Sequence, residues 1–237
     1  GTGMGYTYLR MRGMDQTRIN VTINGVPIND PESHGVFWVN TPDLTSSISS
    51  LQIQRGVGTS TVGAGAFGGS ISMEVGVPEE KASTKVIFGG GSFGGARATY
   101  IINSGALGLT NGKTKPLTFM GRLSHLQSQG FIDRSSVNLN SYLVSGQYKK
   151  ENSIFRLVHF SGNELTQQAW YGIPEDKFNA EGPGSFTQIQ NYISRNGLDS
   201  IDAQNLIDSR NNTYNYYRYP NEIDRYKQTH THLIGKI

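Results

Sequence analysis

Alternating polar and apolar side chains predict short strands in the first 80 residues of the chain. Residues 18–23 alternate and run directly into Asn24-Gly25, a strong signal for a tight hairpin turn. Residues 51–54 and 70–75 alternate in the same way. A short helix is predicted at residues 41–44, with Thr41 as N-cap and Pro42 at the first helical position.

A second region, residues 83–162, is divided by turns into strand-length segments: 84–91, 94–103, 117–128, 139–149 and 153–162. Their length of about 9–11 residues, with one apolar and one polar face, is what a membrane-spanning β-strand requires. Apolar residues interrupt the polar face, namely Ile101, Met120 and Leu143. A water-soluble sandwich shows the same alternation, so the pattern alone leaves both interpretations open.

The third region, residues 163–225, reads as one long loop. It has a net charge of −4, against +7 for the rest of the chain, and it is rich in aromatic residues. Two helices are predicted inside it, one starting at Ser185 and one over residues 199–209. Long loops in compact proteins are usually functional or disordered, and the helical pattern favours an ordered loop. Strand-like alternation resumes at residues 226–237.

Composition narrows the class of protein. Glycine accounts for 30 of 237 residues, charged residues for only 16%, and cysteine is absent, so disulfides, thiolate metal sites and cysteine nucleophiles are excluded. No apolar run reaches the ~18 residues of a membrane helix. The net charge of +3 is too small to argue for nucleic acid. These features favour a mainly β protein rich in tight turns.

Motifs that suggest chemistry are weak. Residues 63–68 match the dinucleotide-binding glycine pattern, but a strand follows where that motif needs a helix. His230 and His232 share one face of a predicted strand, yet no third metal ligand is in sight. Glu175 and Asp176 are adjacent and poorly placed for paired acid–base work. We therefore predict neither an enzyme nor a bound cofactor and assign no metal ligands; whether His230 and His232 bind a metal is left open.

Four ordered motifs identify a family. They lie at residues 11–13, 21–28, 51–56 and 63–71, and over residues 6–76 the chain resembles the plug domain of TonB-dependent outer-membrane receptors. Residues 168–176, with 214–215 and 224–228, look like the first large loop and returning strand of the iron-uptake branch found in gut-type Gram-negative bacteria. The chain departs from the family at Asn24, Gln52 and Val57, where Asp, Glu and Pro are usual.

The resemblance implies a mainly β fold: a transmembrane antiparallel β-barrel of about 22 strands with a small α+β plug in its lumen. Residues 1–80 would be the C-terminal part of the plug. Residues 81–237 would supply the first barrel strands, with an extracellular loop at 163–225. An open six-stranded sheet in lipid exposes unpaired backbone, so we expect a fragment, with strands beyond Ile237 and a partner-contact segment ahead of Gly1.

The resemblance also implies site residues. The plug apex and the long loop would bind substrate through Asn29, Asp30, His34, Phe37, Trp38, Trp170 and Tyr171. Arg12 and Arg55 match plug arginines that in relatives pair with glutamates on the inner barrel wall. The plainer alternatives are surface arginines, and an ordinary loop whose Trp38 packs against the wall.

The function implied is binding of a scarce nutrient and its import to the periplasm, driven by the TonB–ExbB–ExbD complex. The ligand would be an iron complex, a glycan or a peptide, with the iron complex favoured; a surface lipoprotein lid is left open. The protein would be a multi-pass barrel in contact with outer-membrane lipid, without nucleic acid. The alternatives are a barrel acting as scaffold or secretion component, and a soluble β-rich carbohydrate-binding module or hydrolase.

Overall fold

The first of two β-sheets is formed by the N-terminal part of the chain. The computed structural model describes residues 4–56, 67–108, 116–180 and 185–237. The strands of this sheet, in the spatial order β2-β1-β4-β3, are β1 (Ile19–Ile23), β2 (Val26–Pro27), β3 (Ile48–Arg55) and β4 (Gly69–Val75). β1 is antiparallel to β2 and parallel to β4. The predicted hairpin is confirmed, since Asn24 (φ +54°) and Gly25 (φ +82°) take the left-handed conformation of a two-residue turn.

Three short 3₁₀ helices connect this sheet, at Gln16–Arg18, Trp38–Asn40 and Leu44–Ser47. The predicted helix at residues 41–44 is wrong in its start, because Asp43, not Thr41, precedes the helix at Leu44–Ser47. Asp43 has a left-handed backbone (φ +54°) that helical residues do not adopt. Most of the glycine motif at 63–68, and Val57, lie outside the described residues.

The second sheet is an antiparallel meander of six strands in the order β10-β9-β8-β7-β6-β5. Its strands are β5 (Ala82–Gly90), β6 (Ala96–Ser104), β7 (Leu117–Ser128), β8 (Val137–Lys150), β9 (Ser153–Gln167) and β10 (Ile223–Lys236). All six strands were predicted. β9 is longer than predicted, because its pairing with β10 continues to Gln167 opposite Ile223. The loop therefore occupies residues 168–222 rather than 163–225.

The six-stranded sheet has an inverted polarity. On β8, Ser141, Ser145 and Gln147 are buried beneath the N-terminal part of the chain, whereas Val144 is 50% exposed. On the same outer face of the sheet, Leu233 is 80% exposed. Its covered face is thus polar and its bare face apolar, the reverse of a water-soluble sandwich.

The apolar residues that interrupt the polar face are explained by packing. Leu143 is fully buried, and with Val158 and Phe160 it joins the core formed by the N-terminal sheet. Met120 packs on the edge of that core, and Ile101 is 7% exposed. The inner face is therefore apolar where it meets the core of the first sheet.

The loop at residues 168–222 is ordered around a small core of its own. It contains α1 (Glu175–Phe178), α2 (Ser185–Asn196) and α3 (Ser200–Asp208). α2 and α3 were predicted and α1 was not. The core of this loop consists of Ala180, Ile189, Leu206 and Tyr214. In the described ranges, no helix has both the length and the apolar character needed to cross a bilayer.

Candidate functional site

A cleft of about 700 Å³ opens between residues 27–41 and the ends of β9 and β10, a size typical of small-molecule sites. Its walls combine aromatic and acidic side chains. The aromatic residues are Tyr6, Tyr8, Phe37, Trp170 and Tyr226, and the acidic residues are Asp30, Glu164 and Asp224.

Asn29 shapes one wall of the cleft. Its side-chain oxygen accepts a hydrogen bond from the amide of Val21 (2.7 Å), and its nitrogen donates to the carbonyls of Ile19 and His34 (both 2.9 Å). The amide is therefore committed to holding the apex loop against β1. Asn29 acts on the shape of the cleft, because its own hydrogen-bonding groups are already used.

Asp30 places a charge at the mouth of the cleft. Its Oδ1 accepts hydrogen bonds from the amide (2.7 Å) and hydroxyl (2.9 Å) of Ser33 and from the amide of Glu32 (3.1 Å). These bonds, with the Ser33 amide first, lower the pKa of Asp30 below its usual range. Asp30 is consequently ionised at neutral pH.

The opposite side of the cleft carries two further acids, Glu164 and Asp224. The hydroxyl of Tyr6 donates to Oδ2 of Asp224 (2.6 Å), and Gln168 donates to Oδ1 of Asp224 (3.3 Å). Burial, and then this hydrogen bond to Asp224, raise the pKa of Tyr6. Glu164 is only 3% exposed, and its Oε2 has no hydrogen-bond partner among the described residues. The Nε2 atom of His230 is in the same situation.

A chain of aromatic rings leads from the cleft to the exposed loop. Tyr6 contacts Trp170 (ring centroids 5.8 Å apart), Trp170 contacts Tyr217 (6.0 Å), and Tyr217 stacks on Tyr171 (5.5 Å). Tyr171 then contacts Tyr216 (5.1 Å). Trp170 and Tyr171 are more than half exposed, so this aromatic chain offers ring faces to a ligand outside the cleft.

The structure brings together only part of the predicted substrate-binding set. Asn29, Asp30, Phe37 and Trp170 line the cleft. Tyr171 lies outside it on the aromatic chain. The remaining two predicted residues do not line it: Trp38 packs against the core of the N-terminal sheet, and His34 is exposed. Contact between any of these residues and a substrate stays a prediction.

Comparisons with known proteins agree with this arrangement. Residues 1–70 match the family model described as TonB-dependent Receptor Plug Domain. These 70 residues are therefore similar to the plug domain of TonB-dependent receptors. The resemblance proposed from the sequence motifs is thereby confirmed, and it is to a family of receptors rather than enzymes. No curated protein sequence matches the chain. We call residues 1–70 together with β4 the plug, and the six-stranded sheet the wall.

Solved structures share the fold. The ferric-catecholate import receptor Fiu of E. coli K12 is 16% identical, with 93% of this chain and 27% of that chain covered and a TM-score of 0.65. The ferripyoverdine receptor of the Pseudomonas aeruginosa outer membrane, bound to ferripyoverdine, is 14% identical (71% and 22% covered, TM-score 0.57). The copper transporter OprC is 19% identical (71% and 27%, TM-score 0.54).

The chain spans about a quarter of the length of these structures. At such low identity the similarity shows the fold alone. That fold is mainly β with a small helical content, and it matches a plug together with part of a barrel.

The predicted plug arginines form no ion pair with the described part of the wall. Arg12 and Arg55 are both exposed, and neither forms an ion pair with another described residue. Arg12 has a left-handed backbone conformation (φ +51°). Their expected partners were glutamates beyond Ile237, so this pairing stays a prediction.

The contact between plug and wall has the opposite polarity to the predicted one: an acid on the plug pairs with arginines on the wall. The Asp43 side chain is 2% exposed, and Nη2 of Arg97 donates to its Oδ1 at 2.7 Å. Thr99 donates to Oδ2 at 2.6 Å, and Nη1 of Arg122 lies 3.6 Å from that oxygen. Arg122 is also 2% exposed, so this is a buried charged pair with additional hydrogen bonds.

Backbone groups extend the same contact. Nη1 of Arg122 donates to the carbonyl of Asp43 (2.6 Å), and the Ser141 hydroxyl donates to the carbonyl of Pro42 (2.6 Å). Gly162 on β9 permits this approach, because a Cβ there would clash with the backbone carbonyl of Asn40 and lie 2.6 Å from Cδ of Pro42. The plug backbone therefore rests directly on the wall at Gly162.

A second bridge has the same polarity. Oε1 of Glu74 on β4 lies 3.1 Å from Nη1 of Arg156 and 3.3 Å from Nζ of Lys236. Arg156 is 3% exposed and also donates to Gln147. Sequence reasoning missed these contacts. The available signal was the arginines at inward positions of otherwise polar strands, since a buried charge needs a partner.

The histidine pair shares one face of β10, as predicted. The rings of His230 and His232 lie 5.9 Å apart, and His230 stacks on Phe160 at 4.7 Å. Over the described ranges, no group of three His, Cys, Asp or Glu side chains is placed to hold a metal. The observed environment of this pair is packing between wall and plug.

Proposed function

We propose that the protein is an outer-membrane receptor that binds a scarce nutrient and imports it to the periplasm with energy supplied by the TonB–ExbB–ExbD complex. The nutrient binds the cleft at the plug apex and the adjoining loop. The observation that carries this proposal is the inverted polarity of a wall whose covering element is a TonB-dependent receptor plug.

The outer face of the wall suits lipid. Phe119 is 47% exposed, Leu157 51% and Leu233 80%, and the register places them in one row across β7, β9 and β10. A contiguous apolar surface of this kind is unfavourable in water and is expected of barrel strands in a bilayer. The same observation speaks against a soluble carbohydrate-binding module or hydrolase.

A closed barrel follows from the same physics. β5 and β10 are the edges of the described wall, and each leaves backbone groups without a strand partner. Hydrocarbon does not tolerate open sheet edges, so we propose that further strands complete the barrel around the plug. Residues 1–80 would then be the C-terminal part of the plug, and residues 81–237 the first strands of the barrel.

The favoured nutrient is an iron complex. Two of the similar structures are described as a ferric-catecholate import receptor and a ferripyoverdine receptor. The third is described as a copper transporter, so the fold by itself does not select the cargo. A glycan or a peptide stays open, because exposed aromatic rings such as Trp170 and Tyr171 also bind sugars and peptide side chains.

Transport is a conformational step without covalent chemistry. Ligand occupies the cleft, and force from the inner membrane displaces or remodels the plug to open a path. In this chain the bridges from Asp43 and Glu74 to wall arginines resist that displacement. The energy supplied must therefore break these bridges or move the residues that form them.

The test uses the full-length protein in an outer membrane. Cells expressing it are offered ferric complexes, oligosaccharides and peptides, and uptake is compared in hosts with and without TonB. We expect uptake of at least one nutrient with TonB, and binding without uptake in its absence. Uptake unaffected by TonB loss would favour a scaffold or secretion role. A folded protein in the soluble fraction, with no heat-modifiable band, would end the proposal.

A further inference from the structure

The cleft has an uneven charge. Three acids line it, namely Asp30, Glu164 and Asp224, and among the described lining residues Arg225 is the only lysine or arginine. Side chains alternate along a strand, so Arg225 and its register partner Leu165 lie on the opposite face from Glu164. Arg225 also forms no ion pair within the described ranges. Within the described part of the chain, none of the three acids forms an ion pair.

Of the three acids in the cleft, Glu164 says most about the ligand. It is 97% buried, lines the cleft, and has one carboxylate oxygen without a partner in the described structure. Two donors beside it are committed elsewhere, because the Tyr6 hydroxyl and the Gln168 amide both donate to Asp224. A buried carboxylate oxygen without a donor is costly, and a ligand that supplies one removes that cost.

Aromatic rings stand beside the acids. Tyr6 and Trp170 meet edge to face in the cleft, with ring centroids 5.8 Å apart, and Tyr226 is the register partner of Glu164. Ring faces attract cations through their quadrupole as well as packing against apolar groups. The acids and the aromatic rings of the cleft thus both favour a cationic ligand.

We propose that the cleft selects a ligand carrying a protonated amine, or an equivalent charged N–H donor, which Glu164 accepts while Tyr6 and Trp170 pack on the rest of the molecule. The inference rests on the proposed receptor function and names the ligand class of that site. Glu164 is its specificity-determining residue. Anionic complexes without such a group are expected to bind poorly.

The test uses two probes that differ at a single terminal group, which is charged in one and neutral in the other. Ferrioxamine B carries a terminal ammonium, and its N-acetyl derivative lacks that charge. Titration calorimetry on the purified full-length protein should give at least tenfold tighter binding of ferrioxamine B. Glu164→Gln should reduce the ratio to within about twofold, while the Kd of the acetylated complex stays unchanged. Glu80→Gln, at a 73% exposed side chain outside the cleft, should keep the preference.

Several outcomes overturn the inference: equal affinities in the wild type, a preference that survives Glu164→Gln, or no binding of either probe. A heat-modifiable band for each variant checks folding. Failure of the inference is separate from failure of the receptor function. A charge preference in binding without TonB-dependent uptake leaves the inference standing and defeats the proposed transport. TonB-dependent uptake of neutral or anionic complexes, without any charge preference in binding, supports the proposed transport and defeats the inference.

Discussion

The plug sheet and the wall are built with the same two-residue period and opposite polarity. On β1, Ile19, Val21 and Ile23 point into a core and are at most 2% exposed. On β8, the corresponding inward positions include polar Ser141 and Ser145 beside Leu143, and Val144 on the outer face is 50% exposed. Alternation in the sequence therefore defines the two faces of a strand, whereas the elements packed around the strand decide which face is buried.

The two sheets meet through two kinds of contact. Leu143, Val158 and Phe160 extend the plug core by apolar packing, which has no strict directionality. Around Asp43, by contrast, hydrogen bonds with defined partners fix one position of plug against wall. Substitutions at the two kinds of position should therefore differ in size and in what they disturb.

The largest effect is expected for Asp43→Ala. It leaves Arg122 buried without its carboxylate partner, which typically costs about 3–5 kcal/mol. Hydrogen exchange at β1 and β4 of the full-length protein should accelerate strongly. Glu74→Gln provides the control, because Glu74 is about one-third exposed and should matter far less. Equal exchange in the two variants would show that the Asp43 network does not hold the plug.

A charge on the outer face of the wall should have the next largest effect. Leu157→Arg is expected to cost about 2–4 kcal/mol in a bilayer. Ile201→Arg in α3 changes a residue of similar exposure (56% against 51%) on the loop, and should cost less than about 0.5 kcal/mol. Folding into lipid vesicles, followed by gel mobility, measures both. Equal tolerance of the two charges would contradict a lipid-facing wall.

Glycines on the two faces of the wall offer a third comparison. Gly162→Ala places a methyl group against Pro42 and should destabilise the plug contact by about 1–3 kcal/mol. At Gly235 on the outer face, the nearest atom to an added Cβ is 3.8 Å away on Phe155, so alanine fits there. Denaturant unfolding of both variants provides the measurement. Destabilisation by Gly235→Ala alone would reverse our assignment of faces.

The smallest effect is expected outside both sheets, at Asp199. Its side chain caps α3 by accepting from the amides of Ile201 and Asp202, and the bond from Asp202 contributes most to lowering its pKa. A carboxylate whose pKa is lower in the folded state than in the unfolded chain stabilises the folded state at pH values above the unfolded pKa. That contribution is lost as the pH falls below about 4. Asp199→Ala should increase exchange in α3 only and abolish this pH dependence there; altered exchange in the wall would contradict it.

Local signals explain what the sequence could predict. The Asn24-Gly25 hairpin, the six wall strands and two loop helices depend on turn residues and periodicity within a few residues. The polarity of the wall did not follow from the pattern, since a sandwich and a barrel strand alternate alike. Inward Leu143 looked like an imperfection until its contact with the plug core was visible.

The candidate site was predictable only in outline. Asn29 was expected to meet substrate, yet its amide is committed to backbone groups of the apex loop. The plug–wall bridges were sought at Arg12 and Arg55, whereas the structure pairs Asp43 with Arg97, 54 residues away in sequence. Such pairs form between distant segments, so no spacing rule in one sequence reveals them.

The parallel pairing of β1 with β4 has a mechanical consequence. Tension applied to the chain ahead of Ile19 would be resisted where β4 continues through Gly76 to the wall. In parallel strands, the start of one and the end of the other lie at opposite ends of the ladder. The load therefore shears all β1–β4 hydrogen bonds together instead of unzipping them one at a time. Under such a pull, the plug sheet moves as one piece before it comes apart.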